Sequence, residues 1–232
     1  IAPTPKLVDQ FFNDSTGEGD HGEVDARGPW NEGAPWEYVE SPAFQDLEQT
    51  DGPSIHAASS GADGEEGPLQ ELLIDQLRDI LHAEKQLQKA LPKMAEAARG
   101  TTLQRLMELH LQETDMQVER LNESLKLLGA PTRAKPCKGM AGLIEEGEEV
   151  IDESKKKDDA PADLALIGAA LRVEHYEVAA YTTARNLALQ LHLSAIAEYL
   201  TMSLGEELNA AQLLDQAAQP LMTVARMPAA VE

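Results

Sequence analysis

Residues 173–181 read Val173-Glu174-His175-Tyr176-Glu177-Val178-Ala179-Ala180-Tyr181, and they fall within a proline-free stretch from about Asp163 to Leu191 whose apolar residues recur at helical spacing. Glu174 and Glu177 are three positions apart, so a helix places both on one face about one turn apart. The same face carries Ile167, Ala170, Leu171 and Tyr181. Two carboxylates therefore stand in an apolar seam, at positions where leucine is the ordinary occupant.

The pattern repeats on both sides of this stretch. A first helix from Leu69 to near Gly100 has Leu73, Leu77, Ile80, Leu87, Leu91 and Met94 on one stripe, with Glu84 filling the missing position and Pro92 expected to kink the last turns. Thr101 opens a second helix whose stripe runs Leu103, Leu106, His110, Glu113, Gln117, Leu121, Leu125 and stops at Gly129-Ala130-Pro131. Met140 to Glu153 reads as a short helix with Leu143, Ile144, Val150 and Ile151 as its apolar face. A last helix, from about Ser194 to Ala217, has Ile196, Leu200, Ser203, Glu207, Ala210, Leu214 and Ala217 on one side. The expected fold is all-α: an antiparallel four-helix bundle over residues 69–220 with one extra short helix, followed by a C-terminal tail, 221–232. Low aromatic content (4%) agrees, because sheets draw on aromatic and β-branched residues.

Each long stripe thus carries glutamate: Glu84, Glu113, the pair Glu174 and Glu177, and Glu207. A single glutamate on such a helix ordinarily faces solvent or pairs with Lys or Arg, and the seam can be redrawn by one residue, as Glu206 beside Glu207 shows. Five across four helices are harder to place in solvent. The separations of 29 residues from Glu84 to Glu113 and 33 from Glu174 to Glu207 bring each helical hairpin back to a similar height. Five buried carboxylates repel one another and lose hydration, and two divalent or trivalent ions, about +4 to +6 in total, balance them. Iron and manganese both suit carboxylate ligands. His110 is expected either to ligate or to hydrogen-bond a ligand, with Gln117 beside it. Tyr181 is read as a core tyrosine or as a hydrogen-bonding or radical residue, and Met94, Met107, Met116 and Met202 as core filler.

The first 68 residues behave differently. They hold fifteen acidic and two basic residues (Lys6 and Arg27) and show no useful period. Residues 1–49 are expected to form an extended, irregular segment that lays Phe11, Phe12, Trp30, Trp36 and Tyr38 across another surface, and 50–68 an acidic linker. The net charge of -22 argues against nucleic acid or an anionic membrane as partner and suits cations. The chain has no run of about 18 apolar residues and opens without the plan of a signal peptide, so it is expected to be soluble and cytoplasmic. It also opens without methionine, consistent with a processed or partial polypeptide. The single Cys137 is read as a loop thiol.

Through Leu81-His82-Ala83-Glu84-Lys85-Gln86-Leu87, Ala90-Leu91-Pro92-Lys93-Met94, His110-Leu111-Gln112-Glu113-Thr114, Gln117-Val118-Glu119-Arg120-Leu121, Gly142-Leu143-Ile144-Glu145-Glu146-Gly147 and the 173–181 stretch, the chain resembles the YciE/YciF family of ferritin-like stress proteins. That resemblance implies a ferritin-like fold, a homo-oligomer of at least two chains, and a di-iron or di-manganese site with Glu84, Glu113, Glu174, Glu177 and Glu207 as ligands and Glu146 as an outside candidate. The Glu-x-x-His of ferritins is absent after both Glu113 and Glu207. A second, shorter resemblance is to the C-terminal tail of manganese catalases, through Phe12-Asn13-Asp14-Ser15-Thr16-Gly17-Glu18-Gly19-Asp20, Ala26-Arg27-Gly28-Pro29-Trp30-Asn31-Glu32-Gly33 and Trp36-Glu37-Tyr38-Val39. It implies calcium at Asn13, Ser15 and Gly17, a tail packed on a neighbouring subunit, and a catalase centre upstream of Ile1. Three functions follow as expectations: the C-terminal part of a manganese-catalase-like protein of peroxide or metal stress, a di-metal enzyme in its own right, or a non-enzymatic assembly module with a structural metal.

Overall fold

The computed structural model describes residues 67–226, all of its regular structure helical. Five helices follow in order: α1 (Pro68–Ala97), α2 (Thr101–Leu127), α3 (Lys138–Ser154), α4 (Asp159–Gln190) and α5 (Ser194–Ala225). The expected segment at 1–49, most of the linker, the calcium positions Asn13, Ser15 and Gly17, and the end of the C-terminal tail lie outside the described residues. Within them α4 begins four residues before Asp163, and α5 runs through Pro220 to Ala225, eight residues past Ala217.

Local chemistry sets the ends. Pro68 occupies the first turn of α1, where its missing N–H costs no helical bond. The α1–α2 turn is held by a residue from elsewhere: buried Asp163 accepts from Arg99 N and Gly100 N, both at 2.8 Å. A Cβ on Gly100 would sit 3.0 Å from Asp163 Oδ2 and would crowd the carboxylate that holds the turn. α2 closes with Gly129 at φ 68°, Gly129 N bonding Lys126 O and Ala130 N bonding Leu125 O, both at 2.9 Å. α4 closes in the same way on a non-glycine: His192, at φ 57°, bonds Leu189 O, and Leu193 N bonds Ala188 O.

α1–α2 and α4–α5 form the two most extensive hairpin contacts; α2 packs on α5 and α1 on α4, closing the ring, and α3 lies outside it against α4 and α1. α4 is therefore covered on three sides, which explains why its buried set is wider than the seam read from the sequence and includes Ala162, Leu166 and Ala169. Two apolar clusters fill the bundle. One end holds Leu87, Leu91, Met94, Leu103, Leu106, Leu166, Ile167 and Leu214; the other holds Leu73, Leu77, Ile80, Leu121, Leu125, Ile196 and Leu200. Every glutamate of the expected site falls, in its own helix, between residues of the first cluster and residues of the second.

Two packing expectations change. Met94 and Met107 are core residues, but Met116 is 52% exposed and Met202 43%, because each sits one position off its helix's buried stripe, beside Gln117 and Ser203. Cys137 is a loop residue, just before α3, but a buried one, its Sγ 2.9 Å from Tyr176 Oη and its N–H donating to His82 Nδ1 at 3.1 Å.

Candidate metal centre

The layer between the two apolar clusters is polar and dry. Glu84 (α1), Glu174 and Glu177 (α4), Glu207 (α5) and His110 (α2) are all buried. His110 stands in the middle: Nε2 lies 3.5 Å from Glu174 Oε1, 3.7 Å from Glu207 Oε2 and 3.9 Å from Glu177 Oε2, while Nδ1 lies 3.6 Å from Glu113 Oε2. One ligand atom from each of His110, Glu174, Glu177 and Glu207 lies within 4.8 Å of the other three. Glu113 closes the outer side with its side chain 17% exposed. On the α1 side, Tyr181 Oη donates to Glu84 Oε1 at 2.5 Å.

Buried polar atoms are normally hydrogen-bonded, so exceptions need a reason. Ten buried side-chain polar atoms have no hydrogen-bond partner among the described residues, and seven of them are Glu84 Oε2, His110 Nδ1 and Nε2, Glu174 Oε2, both Glu177 oxygens and Glu207 Oε2. Orphans concentrated in one layer, all of them oxygen or imidazole donors, fit divalent metal of the iron and manganese type. A narrow pocket lined by Leu106, Leu109, Glu113, Ala210 and Leu213 reaches His110 and Glu174, with room for about one water-sized molecule (10 Å³).

The family described as "Domain of unknown function (DUF892)" matches residues 68–226, the whole bundle. The chain belongs to this family. Protein YciF of Escherichia coli (strain K12) is 39% identical over 140 residues, 60% of this chain and 83% of that protein. The crystal structure of the E. coli stress protein YciF superposes with a TM-score of 0.65 at 35% identity, covering 68% of this chain and 99% of that one. YcfI, a putative structural protein from Rhodopseudomonas palustris, gives 0.60 at 36% identity over 67% and 98%. A protein from Xanthomonas campestris pv. campestris, 23% identical with a TM-score of 0.53, shares the fold. The bundle is thus of the ferritin-like type found in YciF. The resemblance to a manganese catalase tail falls before residue 68, outside both the match and the described residues.

Of the residues singled out in the sequence, Glu84, Glu113, Glu174, Glu177, Glu207, His110, Gln117 and Tyr181 are brought to this layer. Glu146 is not: it is exposed on α3, off the stripe of that helix's buried Met140 and Gly147. His110 is more central than a single histidine suggested, and the available sign was the reversed spacing His110-x-x-Glu113, which puts imidazole and carboxylate on one face. Two residues, Arg120 and Glu206, were given no part in the site. Arg120 on α2 donates from Nη2 to both oxygens of Glu206, at 2.7 and 2.8 Å, and from Nη1 to Ser203 Oγ at 2.7 Å. Glu206 in turn accepts from Gln117 Nε2 at 3.1 Å, and the same nitrogen donates to Glu207 Oε1.

The layer's electrostatics follow from burial. Desolvation raises all four buried carboxyls above their ordinary value: Glu84 to about 7, Glu174 upward, Glu177 and Glu207 well upward. Burial disfavours charge on His110, but Glu174, Glu113, Glu207 and Glu84 outweigh it and raise the imidazole to about 10. Without metal, the cluster is held by shared protons and one imidazolium.

Proposed function

We propose that this bundle holds two iron or manganese ions in the glutamate–histidine layer and uses them in stress defence, with peroxide as the substrate. The observation that carries the reading is the concentration of orphaned buried ligand atoms between two apolar clusters. Glu174, Glu177, Glu207 and His110 would form the inner set, with Glu84 and Glu113 on either side. When bound, such ions supply Lewis acidity and redox cycling. The chain's own groups do the rest. Tyr181 Oη fixes Glu84 Oε1, and Gln117 fixes Glu207 Oε1, leaving one oxygen of each for metal. Glu177 keeps both oxygens unpartnered among the described residues and is the carboxylate free to serve two ions. Glu113, partly exposed and 3.6 Å from His110 Nδ1, is placed to pass protons between solvent and the layer. The 10 Å³ pocket admits about one water-sized molecule to the edge of the layer and has no room for an organic substrate. The printed description of E. coli YciF as a stress protein supports the physiological part. A cytoplasmic homo-oligomer is part of this reading; separately, among the described residues no helix is long and apolar enough to cross a membrane.

Peroxide consumption by the manganese- or iron-loaded full chain tests this. Turnover that disappears in Glu177→Gln, with the bundle still folded, supports the reading; metal-loaded protein without turnover excludes the enzymatic part. A second reading is favoured by the description of the R. palustris relative as a putative structural protein: a non-enzymatic dimerisation or assembly module with a structural metal. It requires the oligomer to survive when metal is removed and peroxide to be untouched.

A further inference from the structure

We propose that Arg120 is a positioning residue for the metal centre, acting through Glu206 and Gln117 on the ligand Glu207; the inference rests on the metal-binding reading above. The side chain of Arg120 is 10% exposed, far from the usual surface arginine, and its guanidinium is committed twice, to Ser203 Oγ and to both oxygens of Glu206. Charge-assisted bonds from Nη2 to both carboxylate oxygens, with Nη1 tied to Ser203, hold Glu206 in place. Glu206, so held, presents Oε2 to Gln117 Nε2 at 3.1 Å, and that NH2 group also donates to Glu207 Oε1. The order is thus Arg120, Glu206, Gln117, Glu207, running from α2 to α5, back to α2, and to α5 again.

Its consequence is directional. An amide facing two carboxylates must turn its NH2 toward them, because its own oxygen there would repel both. With Gln117 set this way, Glu207 is held by Oε1 and offers only Oε2, the atom 3.7 Å from His110 Nε2. Without Arg120, Glu206 loses its anchor and Gln117 loses one of its two acceptors, and Glu207 is free to rotate either oxygen inward.

Positioning and simple electrostatics predict opposite signs. Removing a cation near a metal site, with Glu206 left unpaired, strengthens metal binding by Coulomb's law. Loss of a positioning contact weakens it, by about tenfold or more for a group that touches a ligand, as Gln117 does, and by less for Arg120, two contacts further out. The experiment is cobalt(II) titration of the metal-free full chain, read by calorimetry and by the visible spectrum of bound cobalt, for wild type, Arg120→Met, Arg120→Lys, Gln117→Leu and the Arg120→Met/Gln117→Leu double variant. The expected result is severalfold weaker binding in Arg120→Met with an altered cobalt spectrum, about tenfold or more in Gln117→Leu, partial recovery in Arg120→Lys, and a double variant no weaker than Gln117→Leu alone, because the two residues act in one line. Unchanged or tighter binding in Arg120→Met, or additive effects in the double variant, overturns the proposal and leaves the metal site standing. A wild-type chain that binds no cobalt, manganese or iron overturns both. If Arg120→Met does not fold, Glu206→Gln carries the test: its side chain is 25% exposed and the substitution keeps its shape, and binding as tight as wild type with an unchanged spectrum overturns the proposal.

Discussion

Tyr181 on α4 donates its hydroxyl to Glu84 on α1 across the bundle, both groups fully buried and 2.5 Å apart. The contact joins the lower apolar cluster, of which Tyr181 is a member, to the first ligand of the polar layer. Tyr181→Phe keeps the ring and removes the only hydrogen bond to Glu84 Oε1 found among the described residues. A hydrogen bond to a charged group is worth ~1.5–3 kcal/mol. The expected outcome is roughly tenfold weaker manganese binding with the fold retained, measured by calorimetric titration of the two proteins.

The raised carboxyls fix the sign of the pH response. Glu84 moves from 4.5 to about 7 and His110 from 6.5 to about 10 on folding, so between those values the folded chain holds protons that the unfolded chain has released. Stability from such groups is complete below the unfolded value and is lost as pH rises through the folded one. Metal-free protein should therefore melt at a lower temperature at about pH 8 than at about pH 5.5. Metal displaces the shared protons, so the rise in melting temperature on adding manganese should grow over the same interval.

Asp163 tests how the hairpins are tied together. It accepts two backbone N–H groups at the α1–α2 turn from the first turns of α4, and without it those donors lie beside a buried apolar side chain. Asp163→Ala should destabilise the protein by ~2–3 kcal/mol, with Asp163→Asn recovering part, by urea unfolding of the three proteins.

His192 ends α4 in a left-handed conformation that costs a non-glycine residue ~1 kcal/mol. His192→Gly should raise stability by up to that amount without touching the metal layer. An unchanged midpoint in urea would mean that the imidazole compensates for the strain.

The fold was legible because one rule, an apolar stripe interrupted by glutamate at matched heights, held on all four long helices. Leu73, Leu77, Ile80, Glu84, Leu87, Leu91 and Met94 of α1 and Ile196, Leu200, Ser203, Glu207, Ala210, Leu214 and Ala217 of α5 are all buried as their spacing requires. The centre of the site was harder to see. His110 derives its importance from three carboxylates on other helices, and Arg120 and Glu206 from each other, relations that periodicity within one helix does not encode. Glu146 misled because a glutamate-rich surface helix and a ligand-bearing one look alike until packing shows which face is covered. Cys137 lies in the loop that its proline and lysine neighbours indicate, but its burial against α1 and Tyr176 depends on packing that the local sequence does not show.

The most direct measurement is metal content by mass spectrometry on the full chain purified without chelator, beside the Glu177→Gln/Glu207→Gln double variant. The expected result is about two iron or manganese ions per chain, lost in the variant while circular dichroism still reports a folded bundle. A folded wild type that carries no such metal, and takes up none when manganese or iron(II) is supplied, would contradict the metal centre and leave the layer as a proton-sharing core.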